Sequence, residues 1–150
     1  MSSVICVMPV RPYAVPELIG TVSPVPSATG TFEIERRPTA PEAGGGIARH
    51  EFTKTFVGSL EGVGVGLMLS AGDPAAGEAG YVAMEIVTGK LDGRQGSFAL
   101  QQYGTMSEGG QRLEYEIVPG SGDGDLEGIA GRLQLRVADG SHHYVLEYEL

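Results

Sequence analysis

From residue 29 to residue 149 the chain divides into eight short runs rich in β-branched, aliphatic and aromatic residues, at 29–35, 47–57, 63–70, 80–90, 96–103, 112–118, 131–137 and 143–149. Gly, Pro, Asp or Ser punctuates every gap. Residues of this kind pack on pleated surfaces, and the gap residues supply turn chemistry, so the pattern reads as about eight antiparallel strands. No window sustains a helical period of apolar residues, which limits helix to a turn or two. The fold class is therefore all-β, a sandwich or a barrel.

Glycine contributes to that conclusion. The chain has 24 glycines in 150 residues, about twice the usual share of roughly 7%. A small pattern recurs, "LEGVGVG" from Leu60, "LDGRQG" from Leu91 and "LEGIAG" from Leu126, each placing an acid and a glycine just ahead of a strand. Glycine takes positive φ without a Cβ penalty, so these are read as equivalent corners between strands.

Successive strand residues face opposite sides, and alternation assigns an inward face to most runs. Phe32 and Ile34 share one face, as do Val63, Val65, Leu67 and Leu69, opposite Gly64, Gly66 and Met68. Leu113, Tyr115 and Ile117 share another, as do Leu133, Leu135 and Val137, and then Tyr144, Leu146, Tyr148 and Leu150. Polar groups ride with the apolar parity elsewhere: His50 and Lys54 with Phe52 and Phe56, Gln102 with Phe98 and Leu100, and His142 with Tyr144. In 80–90, Tyr81, Ala83, Glu85 and Val87 oppose Val82, Met84 and Ile86, and alternation leaves the direction of Glu85 open.

Nineteen acids against ten bases give a net charge of −9, which repels nucleic-acid backbones and anionic lipid. The chain has no Trp and no basic stripe interleaved with aromatics, so a stacking platform for single strands is also excluded. Cys6 is the only cysteine, which rules out an intrachain disulfide and a thiolate metal cluster and points to a reducing, cytoplasmic compartment. Residues 1–27 carry prolines at 9, 12, 16, 24 and 26 and read as an extended arm, with a single barrel or sandwich domain over 28–150. The opening segment lacks both the basic start of a secretory signal and the length of a membrane span.

The blocks "ATGTFEIE", "TKTFVGSLEGVGVGLML", "GYVAMEIVTGKLDGRQGSFALQQYGTM", "VPGSGDGDLEGIAG" and "HHYVLEYEL" resemble an uncharacterised bacterial barrel family similar in fold to allene oxide cyclase and dirigent proteins. The resemblance covers about residues 28–150. It implies an eight-stranded antiparallel barrel of the allene-oxide-cyclase-like, calycin-like type with a central cavity. Those relatives steer cyclisation or coupling of an apolar small molecule without a cofactor. By position, Glu85, Lys54 and His142 match the family's acid, lysine and histidine, whereas Gln102 stands where histidine is common and Asp123 where threonine is usual.

Four side chains are thus the candidate catalytic set: Glu85 and His142 as acid or base, Lys54 and Gln102 as stabilisers of oxyanion character. His50, Phe52, Phe56, Tyr81, Phe98, Leu100, Tyr115, Tyr144 and Tyr148 are the candidate ligand-lining residues. His142 and His143 are adjacent and face opposite ways, so they do not chelate one metal, and "SGDGDLEG" lacks the closing Glu and helices of a calcium loop. "GVGVG" and "GSGDG" lack the strand-to-helix setting of a phosphate loop, and no Gly-x-Ser-x-Gly elbow occurs. The expectation is a cofactor-free, metal-free cyclase or isomerase acting on a polyketide-like or lipid-like molecule; the alternative is a carrier or sensor for such a ligand. An apolar outer stripe on 80–90 predicts a homodimer or trimer, with the arm available to cover a neighbour.

Overall fold

The computed structural model describes residues 25–39 and 46–150; the arm expected over 1–27 falls almost wholly outside them. Among the described residues nine strands follow one another: β1 (Ser27–Pro38), β2 (Ala48–Gly58), β3 (Leu60–Asp73), β4 (Glu78–Leu91), β5 (Arg94–Ser107), β6 (Gly110–Ile117), β7 (Asp123–Gly124), β8 (Ala130–Ala138) and β9 (Ser141–Glu149). A single 3₁₀ turn, Pro74–Ala76, is the only helical element among the described residues.

The eight long strands pair antiparallel around a complete ring. β1 pairs with β2 and β9, each of β2 to β5 pairs with its successor, β6 pairs with β8, and β8 with β9. This is a closed eight-stranded barrel, so no long strand is left with an edge open to another chain. The extra strand β7 pairs with Gly96 and Ser97 of β5. The loop that follows β7 carries Leu126 and Ile129 into the core, where both are buried.

The two ends differ. At one, the β2–β3, β4–β5 and β6–β8 connections meet, and Leu60, Leu91, Leu126, Ile129, Tyr144 and Leu146 join the main hydrophobic cluster and close the floor. The β4–β5 corner there turns through Asp92 at φ 48° and Gly93 at φ 83°, the left-handed pair that matches the twist of a two-residue hairpin. At the other end lie the β3–β4, β5–β6 and β8–β9 turns, with a smaller cluster of Phe52, Met68, Tyr81 and Ala83 beneath them.

Alternation gave the inner face of most strands, but β3 is reversed. Val63, Val65, Leu67 and Leu69 are exposed on the outside, and Gly64, Gly66, Met68 and Ser70 face the interior. Space decides this. A Cβ on Gly64 would run into Glu85 Oε2 and lie 3.2 Å from Phe56, and one on Gly66 would meet the Phe52 ring. The interior beside β3 is already occupied by side chains from β2 and β4, and the valines are displaced outward. Leu150, expected inward, is exposed.

Candidate functional site

Lys54 on β2, Glu85 on β4 and Tyr115 on β6 all point inward and meet in the barrel, buried to 1%, 3% and 4% exposure. The Lys54 ammonium donates to Glu85 Oε1 at 2.9 Å and to the Tyr115 hydroxyl at 2.7 Å. Tyr115 in turn donates to the same carboxylate oxygen, Oε1. The direction of Glu85 that alternation left open is thereby settled as inward.

A buried charge is costly unless it is paired and hydrogen-bonded. Here one cation faces one anion with a phenol bridging them, and rings complete the lysine's surroundings. Its ammonium lies 4.8 Å from the centroid of Phe32, 5.1 Å from Phe52 and 4.9 Å from Tyr115, within the range of cation–π attraction. The second carboxylate oxygen is different: Glu85 Oε2 is buried and has no hydrogen-bond partner. It lies over Gly64. The two glycines of β3 leave the passage through which the β4 carboxylate reaches the β2 lysine.

Towards the open end the polarity continues in a second pair. Gln102 on β5 donates to the Tyr81 hydroxyl at 2.6 Å, and both side chains are buried. Beyond Tyr81, a cavity of about 180 Å³ is lined by residues that include Ser70, Ala71, Gly80, Tyr81 and Met106.

The remaining sequence candidates divide between the two ends. Phe56, Phe98 and Leu100 belong to the packed main cluster, and Phe52 to the smaller one beside Tyr81. Tyr144 and Tyr148 are floor residues. The Tyr144 hydroxyl accepts from the Leu60 amide at 3.0 Å and donates to the Val57 carbonyl at 3.0 Å, while Tyr148 donates to Asp92 Oδ2 at 2.5 Å. Desolvation pushes both phenols above their ordinary value, reinforced in Tyr148 by its bond to Asp92 and in both by that carboxylate's charge. These tyrosines fasten strand ends together at the floor, on the side away from the cavity.

His142 is half-buried and stacks on Phe32, with ring centroids 4.9 Å apart and planes 16° from parallel. His50 is half-buried on β2, opposite Pro38 and Met68. The structure therefore joins Glu85 to Lys54, places Gln102 with Tyr81 and packs His142 on the Phe32 ring. The sequence marked Tyr115 only as a lining residue and gave Phe32 and the β3 glycines no place at the site. Glycine alternating inside an apolar strand was the available signal, since it marks a place where other atoms approach closely. Among the described residues no group of three or more His, Cys, Asp or Glu is placed to hold a metal ion, and no helix is long and apolar enough to cross a membrane.

Fold and site together define an eight-stranded antiparallel barrel with a buried Lys–Glu–Tyr cluster in its interior. Residues 28–148 match the family described as protein of unknown function (DUF3224), and the chain belongs to that family. A solved structure of a protein with unknown function from the same family, from Shewanella oneidensis MR-1, is 41% identical. It covers 84% of this chain and 98% of its own, with a TM-score of 0.78. No curated protein matches the chain.

Proposed function

We propose that this barrel is a cofactor-independent isomerase or cyclase for a small, largely apolar molecule, admitted at the open end and acted on by Glu85. One observation carries the reading: Glu85 has one oxygen held by both Lys54 and Tyr115 and a second, buried oxygen with no hydrogen-bond partner. A carboxylate fixed in this way offers a bare lone pair in a dry setting, which suits proton abstraction and return within one substrate. Lys54 and Tyr115 orient the acid and stabilise its charge. Lys54 also supplies positive charge against oxyanion character as it develops, and Gln102 with Tyr81 orients a polar substituent nearer the mouth. The likeness in fold to allene oxide cyclase and dirigent proteins that the family resemblance implies is in keeping with the same class of chemistry, and the apolar rings around the cluster favour a polyketide-like or lipid-like substrate.

A carrier is the second reading, favoured by the closed hydrogen bonding of Lys54, which is satisfied by Glu85 and Tyr115 without a guest. The two are separated by mass spectrometry and chromatography of small molecules extracted from the purified protein before and after incubation. An isomer of unchanged mass that accumulates with time supports the enzyme, and unchanged ligand supports the carrier. Lys54→Met with Glu85→Gln removes both charges at nearly constant shape. This variant is expected to retain ligand and lose conversion, and full turnover in it would refute the role given to Glu85.

A further inference from the structure

The chain has two lysines, Lys54 and Lys90, against eight arginines, and it places one of the two in the barrel interior at 1% exposure. Arginine is the usual cation for a buried ion pair, because its guanidinium is weakly hydrated and grips a carboxylate at two points. A chain that draws most of its positive charge from arginine thus carries lysine where burial favours arginine. What lysine has and arginine lacks is an amine that gives up its proton and then offers a nucleophilic lone pair. The surroundings of Lys54 match that use. Glu85 Oε1 lies 2.9 Å from Nζ, in place to take a proton, and the Tyr115 hydroxyl lies 2.7 Å from Nζ and donates to the same Oε1. Two of the three ammonium protons are held in this way, and the rest of the amine's surface meets the faces of Phe32, Phe52 and Tyr115.

We propose that Lys54 forms an imine with the substrate, which is therefore an apolar aldehyde or ketone. This rests on the reading that a small molecule reaches Glu85, and it names the functional group of that molecule. Lys54 passes a proton to Glu85 Oε1, and the amine lone pair bonds to the carbonyl carbon while the carbonyl π pair moves to oxygen. The resulting alkoxide takes that proton from Glu85, and the nitrogen returns a second proton to the carboxylate, which leaves a neutral carbinolamine. The hydroxyl takes the second proton through Tyr115 and departs as water, and the nitrogen lone pair closes the C=N bond. One carbonyl and one ammonium thus give one protonated imine and one water.

The protonated imine carries one positive charge, as the ammonium did, so the buried Glu85 carboxylate keeps a cationic partner throughout. It also withdraws electrons from the adjacent carbon and makes a proton there removable. Glu85 Oε2, buried and without a hydrogen-bond partner, takes that proton. Its return to the opposite face or to a conjugated position, followed by hydrolysis of the C=N bond, releases an isomer and restores Lys54.

Limiting hexanal with sodium cyanoborohydride, which reduces an imine to a stable secondary amine, tests this on the full chain, with peptide mapping by mass spectrometry as the readout. Lys90, exposed on β4, is the reference amine. The expected result is a hexyl group on Lys54 ahead of Lys90, a preference that disappears in urea. Tyr115→Phe keeps the ring against Lys54 and is expected to slow labelling there about a hundredfold while Lys90 is labelled as before. Labelling of Lys90 alone in the folded chain would overturn the proposal, as would labelling of Lys54 at a rate that Tyr115→Phe leaves unchanged. The isomerase reading fails separately. A trapped Lys54 with no conversion of the extracted small molecule overturns that reading and leaves the imine standing. Conversion that continues undiminished under cyanoborohydride with Lys54 unmodified overturns the imine alone.

Discussion

Replacing Lys54 by Met tests the central feature of the interior. The substitution keeps the length of the side chain and its contact with Phe32, Phe52 and Tyr115 but leaves the Glu85 carboxylate without its cation. Two unit charges 2.9 Å apart attract by about 6 kcal/mol at an effective dielectric constant of 20. Much of that is offset by the desolvation that the native pair already bears, so the measured loss is expected to be about 3–5 kcal/mol, the usual cost of breaking a buried pair. Against a total stability of about 5–15 kcal/mol this is a large fraction. Urea titration followed by far-UV circular dichroism reads it directly, and a fall of roughly 10–20 °C in Tm is the thermal equivalent. The triple variant Lys54→Met, Glu85→Met, Tyr115→Phe turns the whole cluster apolar and should regain most of the loss, since apolar isosteres replace buried pairs at little cost. A loss below about 1 kcal/mol in the single variant, or a triple variant no more stable than the single one, would refute the reasoning.

The other predictions concern the elements that frame this cluster. Gly64→Ala puts a Cβ against Glu85 Oε2 and 3.2 Å from Phe56; it should cost about 1–3 kcal/mol in urea titration. The same change in a Glu85→Ala background should cost distinctly less, because the obstructing carboxylate has gone. Tyr144→Phe leaves the buried Leu60 amide without its acceptor and should destabilise by about 1–3 kcal/mol. The pH dependence has a definite sign at the alkaline end: Tyr144 and Tyr148 hold their protons more tightly when folded than unfolded. Their contribution is complete below the ordinary phenol value near 10 and is lost as pH rises through the folded values. Urea midpoints should therefore fall above about pH 10, and the fall should be smaller in a Tyr148→Phe variant.

How far the sequence could be read depended on the kind of signal each residue leaves. Strand count and turns were legible because propensity and glycine punctuation are local, and the eight runs coincide with the eight long strands to within a few residues. β7 was missed because a two-residue ladder leaves no period, and its neighbours Leu126 and Ile129 are buried by a loop. β3 was misassigned for a different reason. Its valines and leucines make the more apolar face, but orientation depended on the space left by Phe52, Phe56 and Glu85 from two other strands.

The order and alternation of residues along this chain were sufficient to determine an all-β domain with eight antiparallel strands, because backbone geometry and turn chemistry act between near neighbours. Only the closed barrel decided that Glu85 is an interior acid, that Lys54 and Tyr115, 31 and 30 residues away, are its partners, and that His142 packs on Phe32. The physical reason is that burial and charge pairing are properties of a shared volume, and which side chains share it is set when the ring of strands closes.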